Sequence, residues 1–152
     1  MTLKDLTELK FKHDREEHPN VPLYATPRKS FTDKTANGLS TAIKTFCDVS
    51  GVMCQRTGNE GRYRPGKNVV DVIGRTRVMK GTWLPGQNNG QGDLSITMKG
   101  RIHWVEIKIG NDRQSDAQKT FESQVKKAGA TYDIVKSWED FYKIYILWQR
   151  QK

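Results

Sequence analysis

Cysteine is scarce. Cys47 and Cys54 are the only two in 152 residues, which leaves no disulfide framework, and their spacing fits no zinc pattern. Long apolar runs are missing as well. No stretch approaches the roughly 20 residues of a membrane helix, and the first residues lack the apolar core of a secretory signal. There is no internal repeat and no low-complexity tract. Acid is in short supply: 17 Asp and Glu stand against 26 Lys and Arg, for a net charge of +9 and a pI near 9.6. These shortages exclude membrane-spanning, disulfide-stapled and collagen-like classes. A cytoplasmic, intracellular protein is expected, not a secreted one.

What is present suffices for one domain. A chain of this length can bury about 70% of its unfolded surface. The excess of positive charge favours a polyanionic partner, most often nucleic acid.

Residues 1–35 read as an N-terminal extension to a domain over 36–152. The extension mixes charges, carries a narrow stripe at Leu3, Leu6 and Leu9 that suits a short helix, and then meets Pro19, Pro22 and Pro27. An arm, a dimer contact and partial disorder all fit it. In the domain, Leu39, Ala42, Ile43, Phe46 and Cys47 place one apolar face on a helix over 36–49, with Gly51 as its stop. A short strand is expected over 52–55. Strand-like segments follow at 69–73 and 75–79, set among glycines, and 85–92 is a polar loop. Strands are expected over 93–98, 102–109 and 131–135. A helix capped by Ser115 runs to about residue 128. A last helix opens at Ser137 and Asp140, a capping-box-like pair, and carries Trp138, Phe141, Tyr142, Tyr145 and Trp148 at helical spacing. That stripe suits core or a dimer surface better than a base-stacking platform. The order implies a mixed α/β (α+β) fold around one sheet.

The chemistry sits in the hairpin. With Lys99-Gly100 as its turn, Met98 pairs with Arg101, Thr97 with Ile102 and Asp93 with Glu106. Opposed residues share a face and hold their Cβ atoms about 5 Å apart. The period of two puts Lys108 on the face of Glu106 and His103 on the opposite one. Asp93, Glu106 and Lys108 should therefore converge. Two opposed carboxylates repel unless a cation sits between them, and Mg²⁺ or Mn²⁺ prefers carboxylate oxygen. Such an ion suits phosphodiester hydrolysis, with Lys108 holding the attacking water or stabilising the pentavalent phosphate. Upstream, the basic cluster Arg56, Arg62, Arg64, Lys67, Arg75, Arg77 and Lys80 faces only Glu60 and Asp71 in acid and is expected to contact DNA.

Gly92-Asp93, the hairpin and Val105-Glu106-Ile107-Lys108 resemble the PD-(D/E)XK nucleases, and more closely the virus-type replication-repair nuclease (VRR-NUC) family. Ser115-Asp116-Ala117-Gln118, Gly129 and Ser137-Trp138-Glu139-Asp140 resemble that family's later elements, and Gly51 with Arg56-Thr57-Gly58-Asn59 its earlier ones. The likeness spans about residues 36–148. It implies a restriction-endonuclease-like fold and a metal-dependent DNA endonuclease, structure-selective for branched or Holliday-junction DNA, with a second copy of the chain as a candidate partner in a homodimer. It also implies Mg²⁺ or Mn²⁺ held by Asp93, Glu106 and the backbone carbonyl of Ile107, with Lys108 and Gln118 completing the catalytic set. Gln118 also fits a capping box with Ser115. Gly92 stands where the family usually has proline, and the helix over 36–49 has no glutamate, Asn37 lying nearest that place. A non-catalytic nucleic-acid-binding module on the same fold is the competing reading.

Overall fold

The computed structural model describes residues 1–58, 62–70, 72–84 and 90–151. Asn59, Glu60, Asp71 and most of the 85–92 loop lie outside the described residues, as does the side chain of Arg62. In chain order the elements are α1 (Leu3–Glu17), α2 (Ala36–Val49), β1 (Met53–Arg56), β2 (Arg62–Arg64), β3 (Lys67–Val70), β4 (Thr76–Met79), β5 (Thr82–Leu84), β6 (Leu94–Met98), β7 (Arg101–Ile107), α3 (Asp116–Lys127), β8 (Thr131–Val135) and α4 (Trp138–Arg150). The fold is mixed α/β, with four helices around a mixed sheet ordered β1-β6-β7-β8.

The hairpin register is the one the turn predicts. Met98 faces Arg101 and Thr97 faces Ile102. Lys99 and Gly100 both have positive φ, 50° and 74°, the backbone of a tight primed turn whose twist matches its strands. The β7–β8 pair is parallel. It therefore needs a crossover, which α3 supplies.

Each face of the sheet is covered differently. Leu94, Ile96, Val105 and Ile107 point into the main core with Leu39, Ile43 and Phe46 of α2 and Phe141, Tyr145 and Trp148 of α4. The aromatic stripe of the last helix is thus core: Trp138, Phe141, Tyr145 and Trp148 are all buried. On the other face, Phe121 of α3 meets Trp104 edge-on at 5.0 Å. At the start of α4, Ser137 caps as expected, but the Asp140 carboxylate accepts from Lys136 N rather than from the cap residue.

Residues 1–35 are bound into this core. Leu6 is fully buried, and Leu3 and Leu9 pack beside it. Arg28 lies over the Phe11 ring at 4.2 Å. Asp33 accepts from Trp138 N, and Trp138 Nε1 donates to the Met1 carbonyl at 2.9 Å. The leucine stripe is narrow, but α1 packs on α2 and joins the apolar core there.

The strand-like segments at 69–73 and 75–79 begin and end differently from the expectation, as β3 and β4, and two further strands flank them. β2 pairs with β5 and β3 with β4. These elements form a ribbon apart from the main sheet.

Candidate functional site

Three turns of local chemistry bring the hairpin acids to one end of the sheet. β1 is held to β6 through Arg56↔Leu94, and Thr57 N continues the ladder to the Asp93 carbonyl at 3.0 Å. The Asp93 side chain then turns across to β7, where Oδ2 accepts from Ile107 N at 2.8 Å. Gly92 is buried just before it. A Cβ there would lie 3.1 Å from the Val105 carbonyl oxygen, so the position favours the smallest residue. Gly90 approaches still closer, its missing Cβ falling 2.4 Å from the Ala117 backbone at the start of α3.

Glu106 is 1% exposed and its carboxylate is well supplied with donors. Lys108 Nζ lies 2.9 Å from Oε1, Gln118 Nε2 donates to the same oxygen, and Tyr132 OH donates to Oε2 at 3.4 Å. Lys108 is itself buried and reaches Asp112 Oδ2 at 3.3 Å. Gln118 performs both jobs its position allows. Its Oε1 accepts from Ser115 N at 2.9 Å, closing the capping box, while its amide nitrogen serves Glu106.

The electrostatics follow from this packing. Burial raises the Glu106 pKa, and the neighbouring Asp93 charge adds to the rise against the pull of Lys108. Burial likewise raises the Asp93 pKa, opposed by the Ile107 N–H and by Lys108 and Arg56. For Lys108, burial pulls the value down, yet the contacts with Glu106 and Asp112 together leave it raised. The raised value favours the protonated ammonium, which is the form that pairs with Glu106 and Asp112.

A cleft of about 580 Å³ opens beside Asp93, lined by Asn37 and Ser40 of α2, Arg56, Thr57 and Ile107. Arg56 Nη2 donates to Asn37 Oδ1 at 2.9 Å. The cleft thus has an acid on one wall, and an arginine and a helix N-terminus on the other. A positive helix end and a guanidinium both favour a phosphate. Glu106 and Lys108 are buried and do not line the cleft.

The donors fit a hard divalent cation. Among the described residues, no lysine or arginine comes within ion-pair distance of Asp93, a carboxylate open to the cleft whose pKa is nonetheless raised. Asp93 and the Ile107 carbonyl are oxygen donors of the kind Mg²⁺ and Mn²⁺ take alongside several waters. Glu106 can join such a set only by exchanging one of its protein donors.

Among the described side chains of the basic cluster, only Arg56 lines the cleft, while Arg64, Lys67, Arg75, Arg77 and Lys80 lie along the ribbon, as does the backbone of Arg62. Tyr132 and Asp112 were not singled out from sequence. Asp112 stands four residues beyond Lys108, a visible spacing. Tyr132 has no such signal, because its reach to Glu106 depends on the parallel β7–β8 register, Trp104↔Tyr132. His103 faces away from the acids, stacking on Trp148 at 4.2 Å with Nδ1 against Thr131 Oγ1. On α1, ligand atoms of His13, Asp14 and Glu17 fall within 4.8 Å of one another, but Asp14 is ion-paired with Lys10 and none of the three lines the cleft. Comparison with protein-family models, curated proteins and solved structures finds no match.

Proposed function

We propose that this chain is a metal-dependent DNA endonuclease of the PD-(D/E)XK type, resembling VRR-NUC enzymes and acting on branched or junction DNA. One observation carries the reading: Asp93, bound to Ile107 N on an arginine-lined cleft, lies within electrostatic reach of the buried Glu106–Lys108 pair, in a chain of net charge +9.

Asp93, the Ile107 carbonyl and Glu106 are the residues that would hold Mg²⁺ or Mn²⁺. When bound, that ion supplies a water of lowered pKa and positive charge beside the phosphoryl oxygen. The chain's own residues do the rest. Arg56, steadied by Asn37, and the N-terminus of α2 draw the phosphate into the cleft. Lys108, protonated and locked by Glu106 and Asp112, places a fixed charge near the phosphate as negative charge grows there. Gln118 and Tyr132 keep Glu106 in one orientation. Water attacks phosphorus, one P–O ester bond breaks, and a phosphate monoester and an alcohol leave.

The competing reading is a nucleic-acid-binding module without catalysis, favoured by the completeness of Glu106's contacts. Two measurements separate them. Glu106→Gln should lower Mn²⁺-dependent cleavage of flap and four-way substrates by about 100-fold or more, the scale of losing a charge that acts on the transition state. Asp93→Asn should remove the rise in melting temperature that Mn²⁺ gives the parent. Unchanged cleavage by Glu106→Gln would reject the nuclease, and salt-dependent binding with no Mn²⁺ response would leave the module.

A further inference from the structure

The two small sheets are one structure. Arg62 faces Leu84, Arg64 faces Thr82, Lys67 faces Met79 and Val70 faces Thr76, so the same register runs through both pairs. Residues 62–70 and 76–84 therefore follow one two-stranded register, broken among these residues where Pro65 and Gly66 pass Gly81. The ring of Tyr63 fills the place of a Gly81 side chain, whose Cβ would meet the Tyr63 hydroxyl at 1.8 Å. Nine residues on a strand make the ribbon about 30 Å long. Its root is the β1–β6 ladder that carries Asp93, through the bond from Thr57 N to the Asp93 carbonyl.

The ribbon's composition is unusual for an exposed element. It holds six basic residues against the single acid Asp71. On the face of Lys67 and Arg77, Met79 is 49% exposed and the Tyr63–Trp83 cross-strand pair 62% each, while Val70 and Val78 lie on the opposite face. A second copy of a +9 chain would be repelled by such a surface, whereas a polyanion is attracted. Phosphate contacts alone need no apolar side chains. The major groove of B-DNA admits a two-stranded ribbon and offers thymine methyl groups to apolar side chains there.

We propose that the ribbon seats in the major groove of duplex DNA flanking the cleavage site, with Lys67 and Arg77 on the phosphates and the apolar side chains that share their face, Tyr63, Trp83 and Met79, against base edges. This rests on the nuclease reading for the word cleavage only; the groove contact stands without it.

The test compares the parent with a chain in which residues 66–80 are replaced by Asn-Gly, and with the double variant Lys67→Ser, Arg77→Ser, whose exposed positions leave folding intact. Fluorescence anisotropy in Ca²⁺ measures binding to duplex and single strands. Dimethyl sulfate reports guanine N7 in the major groove and adenine N3 in the minor. We expect the parent to prefer duplex and protect N7. The shortened chain should bind at least tenfold more weakly and lose the protection. The double variant should reduce the slope of log affinity on log salt by about 0.9 per lost phosphate contact. Duplex binding by the shortened chain within twofold of the parent overturns the proposal. So does protection of adenine N3 alone, or a lost dimer with unchanged DNA affinity. A Mn²⁺-induced melting shift that persists in the shortened chain shows the Asp93 site intact. Conversely, N7 protection with cleavage unaffected by Glu106→Gln means the nuclease reading has failed and the ribbon has not.

Discussion

Glu106 and Lys108 stand two residues apart on β7 with 2% and 8% of their side chains exposed. Removing one partner of a buried pair leaves an uncompensated charge, which costs about 3 kcal/mol. Lys108→Met should lose that much stability in urea denaturation at pH 8. The loss should shrink at pH 5, because the raised pKa of Glu106 lets the carboxyl take a proton. The double variant Lys108→Met, Glu106→Gln should recover most of it. A single variant as stable as the parent at pH 8 would mean the pair contributes nothing. His103 gives an effect of opposite sign. Burial, with Arg101 nearby, lowers its pKa in the fold. The unfolded chain then binds the proton more readily, so His103 supports the fold fully above its ordinary value of about 6.5 and loses that contribution as pH falls through the lowered folded value. Stability should drop between pH 7.5 and 5 more in the parent than in His103→Gln. Equal slopes would remove His103 as the cause.

At the scale of elements, α3 is joined to the site through one residue. Ser115 caps the helix and touches nothing at Glu106, while Gln118 closes the cap and holds Glu106. Ser115→Ala should cost about 1 kcal/mol, the usual value of a lost cap, and leave cleavage nearly unchanged. Gln118→Ala should cost a similar amount and also slow cleavage. An equal effect of both variants on cleavage would mean that Gln118 acts through the cap alone. The β6–β7 hairpin shows the same economy: Lys99 and Gly100 set the register, and the register sets which side chains meet.

For the whole molecule, the N-terminal helix is structural. Leu6 is fully buried against the α2 and α4 core. Leu6→Ala should cost about 3 kcal/mol, within the range for buried leucines, read from the midpoint of chemical denaturation. Deleting residues 1–17 should lower it further. A truncated chain as stable as the parent would make the segment an independent arm. The net charge of +9 also acquires a place, since much of its excess lies on a ribbon that grows from the acid-bearing end of the sheet.

Short-range physics was enough for much of this. The period of two along 94–98, the tight Lys99-Gly100 turn, the apolar face of α2 and the Ser115 cap are all decided by neighbours in sequence, so they can be read there. The register set by the turn runs as far as Leu94↔Val105, and Asp93 stands just beyond it with its carboxylate on Ile107 N. The tertiary structure decided what depends on distant partners. Leu3, Leu6 and Leu9 look marginal alone, because their burial is supplied by the core that α1 joins through α2. Tyr132 reaches Glu106 only through a parallel pairing that α3 makes possible. The ribbon is one element because four short strands, separated by glycines, keep a common register, and no single strand carries that information.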